Sequence, residues 1–164
     1  MALISSGRLL RKAIFWATVT SAITQTEDSE GCTLLSIAHT ATGGIKGETD
    51  NLRVDGAEYS HNSVIFGTQK VRTSWLDLKK GDIAPGVATG EHLDPYLIQD
   101  WLEEEKGSSP GQILLQVMAD TNGWTAKQVW GFALVDGKRH HVKRCVVKKG
   151  EKCARIRVVY ELVA

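Results

Sequence analysis

The feature that most constrains the fold is a series of four strand-like segments in the C-terminal part of the chain. They cover residues 112–121, 125–135, 138–147 and 152–163, and a short turn separates each from the next. The clearest turn is Asp136-Gly137, because a two-residue Asp-Gly loop between alternating apolar residues is a strong hairpin signal. Such short connections predict an antiparallel meander that closes into a sandwich or barrel, rather than a parallel sheet with crossover helices.

The rest of the chain fits the same mainly β interpretation. We predict a short helix over residues 6–17 and further strands over residues 18–26, 32–41, 45–54 and 64–78. Residues 79–111 interrupt the strands, and Asp94-Pro95 predicts a helix start there, with Trp101 and Leu102 on its apolar side. This insert either seals one edge of the sheet or acts as a lid. The predicted architecture is one domain over residues 1–164.

Composition excludes several classes of protein. The chain has 164 residues, of which 42% are hydrophobic and 24% charged, which is globular rather than disordered usage. A net charge of +1 gives no bulk attraction to nucleic acid or to an anionic membrane. No segment has the roughly 20 apolar residues of a membrane span.

The three cysteines and the N-terminus bear on location. Cys32, Cys145 and Cys153 cannot all pair, and their spacing matches no zinc signature, so we expect free thiols in a reducing, cytoplasmic compartment and no metal site. Arg8, Arg11 and Lys12 precede an apolar stretch, and this pattern also fits a secretory signal peptide. Such a signal is the alternative to the predicted short helix.

Turn positions predict the register of the four C-terminal strands. The Asp136-Gly137 turn places Phe132 opposite His141, and Trp130 opposite Lys143. Two further turns are inferred at Asn122-Gly123 and Lys149-Gly150. They add the pairs Val117 with Gln128, Leu115 with Trp130, Cys145 with Ala154, Lys143 with Ile156, and His141 with Val158.

Because opposed residues share a face, this register predicts one inward face. It is apolar except for Gln128, His141, Lys143 and the hydroxyl of Tyr160. The opposite face is predicted to be exposed to solvent, and it collects Gln116, Lys127, Arg144, Arg155 and Arg157. Lys143 is either a polar anchor in a ligand cavity or a side chain whose stem is buried at a barrel mouth while its ammonium group reaches water. His39 either points inward as a further donor or is a core histidine with its hydrogen bonds satisfied.

Four stretches resemble a group of small fungal proteins of calycin type, which are lipocalin-like or fatty-acid-binding-protein-like. They are RKAIFWATVT, TATGGIKGET, NGWTAKQVWGF and DGKRHHVKRCVV. The final RIRVVYEL is similar to the last strand of fatty-acid-binding proteins. The odd separation of Arg157 and Tyr160, however, puts them on opposite faces, so the carboxylate clamp of that family is not carried over. The resemblance implies a calycin-like barrel whose first strand is missing here.

The resemblance also implies a role in natural-product pathways, as a cofactor-free catalyst of cyclisation or isomerisation of Diels–Alder type. The implied donors are Lys143, His141 and Tyr160. The residues predicted to bind the apolar ligand are Trp75, Leu115, Val117, Gln128, Trp130, Phe132, Ile156, Val158 and His39. The alternatives are a non-catalytic carrier of a hydrophobic molecule and a protein-interaction module. A missing strand would expose the edge of the last strand, so we also expect a homodimer through that edge.

Overall fold

A computed structural model describes residues 18–63, 67–78, 82–83, 93–102, 114–120 and 123–163. The chain divides into two compact units, with the boundary between Leu52 and Arg53. The helix predicted over residues 6–17 lies outside the described residues. The interpretation of the chain as a single domain stays a prediction.

The first unit is a three-stranded antiparallel sheet. Its strands are β1 (Val19–Glu27), β2 (Thr33–Ala41) and β3 (Ile45–Arg53), and they lie in chain order. The β-branched residues that predicted these strands do form them, and β1 pairs with β2 from Val19–Ala41 to Glu27–Thr33.

The second unit is a larger antiparallel sheet with a short helix. Its elements are β4 (Glu58–Ser63), β5 (Gly67–Asp77), β6 (Asp82–Ile83), α1 (Pro95–Ile98), β7 (Leu114–Asp120), β8 (Trp124–Val135), β9 (Lys138–Lys149) and β10 (Lys152–Tyr160). The strand order is β10-β9-β8-β7-β5-β4, and β6 pairs with β5. The mainly β, antiparallel fold class is therefore confirmed. The pairings of the described residues form an open path from β10 to β4, which does not close into a ring.

The Asp136-Gly137 hairpin has the predicted register. Both turn residues have positive φ angles, 51° and 74°, as a type I′ turn requires. Val135 pairs with Lys138, and the ladder continues through Phe132–His141 and Trp130–Lys143 to Trp124–Lys149. This turn fixes which β8 and β9 side chains share a face.

The other two turns differ from the prediction. Ala119 pairs with Thr125, so an odd number of residues (120–124) lies between these two partners. A two-residue turn would leave an even number of residues between paired positions. Gly123 has a φ of 79°, as the glycine of a three-residue hairpin loop does. The β7 register is therefore shifted by one residue. The turn between β9 and β10 lies one residue later than predicted, because Lys149 pairs with Lys152.

The two shifts have different consequences for the faces of the sheet. The β10 register moves by two residues, so Ile156, Val158 and Tyr160 keep their predicted face. The one-residue shift in β7 exchanges the faces. Val117 now pairs with Lys127 and Leu115 with Val129, so both occupy positions on the face opposite to Trp130.

Both faces of the larger sheet carry buried apolar residues, and this corrects the prediction of a solvent face. We call the side that carries Val129 the helix face, because α1 packs against it. Its core is formed by Leu76, Leu97, Trp101, Val129, Ala133, Val142 and Val146. The arginines of this side predicted exposure to solvent, but Val129, Val142 and Val146 on the same side are buried. Gln116 is also not exposed, since it is buried on the side that carries Trp130.

Arg144 is the most consequential of these corrections, because it is only 4% exposed. Its guanidinium donates hydrogen bonds to the carbonyls of Tyr96 and Gln99 and forms an ion pair with Asp100. Asp94 caps α1 as predicted, accepting from the Tyr96 backbone N–H. The helix ends at Ile98, because Arg144 takes carbonyls that a longer helix would use internally.

The segment after α1 is not helical, since Gln99 is extended and Asp100 has a positive φ of 58°, and it contacts the sheet. The Trp101 indole donates to the Leu97 carbonyl, and the Leu102 N–H donates to the Phe132 carbonyl at 2.8 Å. The described residues 93–102 of the insert therefore cover the helix face. A lid function for residues 79–111 stays a prediction.

Candidate active site

Most of the residues predicted to form the site lie together on the side of the larger sheet opposite to α1, which we call the aromatic face. It carries Trp75, Gln128, Trp130, Phe132, His141, Lys143, Ile156, Val158 and Tyr160. Directly opposed pairs bring them into rows across the strands. One row runs from Trp75 through Leu114, Trp130 and Lys143 to Val158. The next runs from Phe132 through His141 to Tyr160.

Trp130 lies at the middle of the aromatic face and is 8% exposed. Its indole Nε1 is buried and has no hydrogen-bond partner within the part of the chain that the structure describes. The Lys143 ammonium group lies 4.5 Å from the centroid of the indole ring, within the range of a cation–π interaction. Since a buried N–H usually finds a partner, this indole is an exception within the described part of the chain.

His141 is at the centre of an aromatic cluster. Its ring centroid lies 5.5 Å from that of Phe132, 5.4 Å from that of Tyr160 and 6.3 Å from that of Trp130. Burial lowers the pKa of His141, and the positive charges of Lys143 and Arg139 lower it further. The imidazole is therefore neutral near pH 7, with one nitrogen as donor and the other as acceptor.

Tyr160 and Cys145 both keep their protons. Burial raises the pKa of the Tyr160 phenol, which favours the neutral form, so the hydroxyl is a hydrogen-bond donor rather than a base. Burial likewise raises the pKa of the Cys145 thiol. A thiol of raised pKa is a poor nucleophile, so the chemistry of this face is hydrogen bonding and stacking rather than covalent attack.

Two polar side chains of the aromatic face, Thr73 and Gln116, were missed from the sequence, and they share a row with Gln128, which was predicted. Thr73 pairs with Gln116, Gln116 with Gln128, and Gln128 with Cys145. Thr73 is fully buried, and its hydroxyl has no hydrogen-bond partner among the described residues. The Gln128 amide donates to the Met118 sulfur at 3.6 Å. Gln116 would have been predicted in this row if the loop before Trp124 had been taken to contain three residues rather than two.

Three predicted ligand-binding residues are not brought to the aromatic face. Leu115 and Val117 occupy helix-face positions because of the register shift, and Val117 packs against the core there. His39 belongs to the first unit, where Nδ1 lies 3.0 Å from the Ser21 hydroxyl and Nε2 lies 3.4 Å from an Asp50 oxygen. This places His39 in a polar contact that joins three strands of the first unit.

The described residues contain no group of three or more histidine, cysteine, aspartate or glutamate side chains that could hold a metal ion. Cys32, Cys145 and Cys153 are all free thiols. Within the same described ranges, no helix has the length and apolar character needed to cross a membrane.

Comparison with known proteins identifies two relatives. The chain is 31% identical over 153 residues to pericyclase pydY of Acremonium sp, across 93% of this chain and 76% of the relative. It is 30% identical over 99 residues to probable pericyclase scpY of Mollisia scopiformis, across 60% of this chain and 46% of that relative. No family model and no solved structure matches, so the calycin resemblance stays a prediction. The extent of the first match shows that this chain belongs to the family of pericyclase pydY.

Proposed function

We propose that the chain is a pericyclase that binds an apolar, unsaturated small molecule against the aromatic face and accelerates its cyclisation or isomerisation without a cofactor. Membership of the family of pericyclase pydY supports this activity. The observation that carries the choice of site is the Trp130 indole, whose ring lies beside Lys143 and the aromatic cluster around His141 and whose N–H has no hydrogen-bond partner among the described residues. The proposed setting is natural-product biosynthesis, in keeping with the resemblance noted in the sequence.

The chemistry of a pericyclic reaction explains why such a face suffices. Bonds form and break around a ring of atoms without a nucleophile, so the protein must mainly hold the reacting ends in near-attack geometry. Flat aromatic side chains such as Trp130 and Phe132 stack against a conjugated substrate and restrict its conformations. The protonated Tyr160 can donate a hydrogen bond to the substrate, and the neutral His141 can donate one or accept one.

A hydrogen-bond donor at the electron-poor end of the substrate lowers the barrier further. The candidates on this face are the Trp130 indole N–H, the Lys143 ammonium group and the Tyr160 hydroxyl. A donor that strengthens its contact as charge develops stabilises the transition state more than the ground state. We assign Lys143 this role, because it combines a charge with a position against the indole ring.

The test is the conversion of a substrate to an isomer of identical mass. Purified protein is incubated with the substrate of pericyclase pydY as the precursor, and the products are separated by liquid chromatography with mass detection. The proposal predicts a new isomer whose rate of formation scales with protein concentration and does not change on addition of a chelator. Saturable binding with no rate above the protein-free reaction would instead identify a carrier.

We also propose that the protein is a cytoplasmic homodimer whose subunits meet along β10. β10 is the terminal strand in the described strand order of the larger sheet. On this strand Ile156 is 48% exposed, and Val158 and Val159 are also exposed. Unpaired β-branched edges favour association. Sedimentation at micromolar concentration tests the mass, and Val159→Pro should give a monomer because proline removes a backbone donor. A wild-type monomer would refute the dimer.

The free thiols support the proposed cytoplasmic location, because that compartment is reducing.

A further inference from the structure

We propose that His141 and Tyr160 form an acid–base pair that enolises a conjugated ketone on the aromatic face, and so generates the diene that the pericyclic step consumes. The inference rests on the proposed function, because it adds a proton-transfer activity to the same face. It also names the chemical class of the substrate, which is a neutral ketone with an acidic C–H bond next to its carbonyl group or conjugated with it.

The first support is the placement of the two side chains. Tyr160 on β10 is directly opposite His141 on β9, and their ring centroids lie 5.4 Å apart with an angle of 37° between the ring planes. In the simplest enolisable ketone, a single carbon atom lies between the acidic carbon and the carbonyl oxygen. Two neighbouring rings are therefore close enough for one ketone to meet a proton acceptor on the first and a proton donor on the second.

The second support is the position of this pair beside the aromatic cluster. Both side chains are half-buried, so each remains accessible to a small molecule. The Phe132 ring centroid lies 5.5 Å from that of His141, and the Trp130 ring centroid lies 6.3 Å from it. A flat conjugated ketone that stacks on these rings brings its C–H bonds and its carbonyl group to the pair.

The third support is the protonation state of each member. Burial, and after it the charges of Lys143 and Arg139, lower the pKa of His141. The imidazole is therefore neutral near pH 7 and has a nitrogen that can accept a proton. Burial raises the pKa of Tyr160, so its hydroxyl keeps the proton that it would donate. Environments that shift two neighbouring groups apart in this way are typical of an acid and a base in one site.

The groups that face His141 come from three strands. On β9 they are Arg139 and Lys143, and both have further interactions within the protein. The opposed position on β10 holds Tyr160, and the opposed position on β8 holds Phe132, so neither carries a carboxylate. Proton transfer is therefore assigned to the two neutral groups, and its pH dependence below neutrality is that of His141.

The proton transfer balances without a cofactor. A nitrogen of His141 takes the proton, the C–H electron pair forms a new carbon–carbon double bond, and the carbonyl π electrons move to the oxygen. That oxygen takes the proton of the Tyr160 hydroxyl, which gives a neutral enol. Passage of a proton from the imidazolium to the phenolate, directly or through water, restores both side chains. The enol is an isomer of the ketone, and its double bond forms a diene with a neighbouring alkene.

Deuterium uptake by 2-tetralone tests this activity without the natural substrate. This flat, neutral ketone has acidic C–H bonds on the carbon between its carbonyl group and its aromatic ring. Enolisation in heavy water replaces them with deuterium, which mass spectrometry counts. We expect protein-dependent uptake and a rate at least about 100-fold lower in His141→Gln, as for loss of a general base. Tyr160→Phe should lower the rate at least about tenfold.

His140→Gln is the matched control, because His140 is the neighbouring residue of β9 and occupies a helix-face position opposite Ala133. Glutamine can still donate to the Tyr160 carbonyl, which the His140 ring contacts at 3.2 Å, so the uptake rate should match that of wild type. The wild-type rate should rise with pH through the pKa of His141, below its ordinary value of 6.5, because only the neutral imidazole accepts a proton. Circular dichroism confirms that each variant is folded.

The outcomes separate the inference from the proposed function. Uptake no faster than in protein-free solution, or equally reduced in His140→Gln and His141→Gln, would overturn the acid–base pair. A rate that does not change with pH below neutrality would do the same. If His141→Gln still converted the substrate of pericyclase pydY at the wild-type rate, the proton transfer would fall and the pericyclase would stand. Uptake that depends on His141, without any isomer formation, would instead refute the pericyclase.

Discussion

Replacement of Arg144 by methionine tests whether a buried cation holds the α1 segment on the helix face. Methionine keeps much of the apolar stem and cannot donate a hydrogen bond. The carbonyls of Tyr96 and Gln99 would lose their donor, which contacts the Tyr96 oxygen at 3.2 Å. We therefore expect Arg144→Met to destabilise the second unit and to release α1 from β9.

The magnitude follows from the contacts. A hydrogen bond to a charged group contributes about 1.5–3 kcal/mol, so the two together amount to roughly 3–6 kcal/mol. The ion pair with Asp100 adds little, because that carboxylate is 77% exposed. Removal of a buried charge offsets part of the loss, since its desolvation cost also disappears. The expected decrease in the free energy of unfolding is about 2–4 kcal/mol, or roughly 4–16 °C in Tm.

Urea denaturation followed by tryptophan fluorescence measures the effect, because Trp101 lies next to Arg144 in the same core. Arg157→Met is the matched control: Arg157 is directly opposite Arg144 on β10 and is exposed, so its loss should cost less than about 0.5 kcal/mol. Equal and small losses in the two variants would refute the buried-anchor interpretation. Enhanced hydrogen exchange of the Leu102 amide in Arg144→Met would show that the segment has detached.

Two further predictions concern pH. The hydrogen bond from Arg155, and after it that from the Tyr96 backbone N–H, lowers the pKa of Asp94. The stabilising effect of the Asp94 carboxylate is therefore fully present above its pKa in the unfolded chain. It is lost as the pH falls through its pKa in the folded protein. Asp94→Asn should therefore flatten the fall in stability between about pH 5 and about pH 2, and an unchanged slope would contradict the charge interaction of Asp94 with Arg155. The lowered pKa of His141 means that the unfolded chain binds more protons, so stability falls as pH drops below about 6.5. An NMR titration of His141 should give a pKa below that value, and a higher one would contradict its burial.

The extent to which the sequence predicted this fold depends on the turns. Asp136-Gly137 permits only a narrow range of hairpin geometries, so the pairing of Trp130 with Lys143 followed from it directly. Asn122-Gly123 has the same appearance, but Ala119 and Thr125 are joined through an odd number of residues. A change of one residue in loop length reverses every side chain of a strand, which explains the errors at Leu115 and Val117.

Burial on the helix face was harder to predict for a different reason. Arg144 alternates with Val142 and Val146, and a strand with cations on one side is usually read as solvent-facing. Burial of the Arg144 guanidinium is favourable because the carbonyls of Tyr96 and Gln99 accept its hydrogen bonds. These two residues lie far from Arg144 in the sequence. β4 was missed because its EYSHNS sequence is polar, and its formation depends on pairing with β5.

Catalysis at the aromatic face requires Trp130, so the rate of isomer formation in Trp130→Leu tests whether this face is the active site. The rate constant should fall at least about tenfold relative to wild type, since the stacking surface and the indole donor are both lost. The exposed helix-face variant Arg157→Met, assayed in parallel with the same precursor, should retain the wild-type rate. If folded Trp130→Leu turned over at the wild-type rate, the aromatic face would not be the active site.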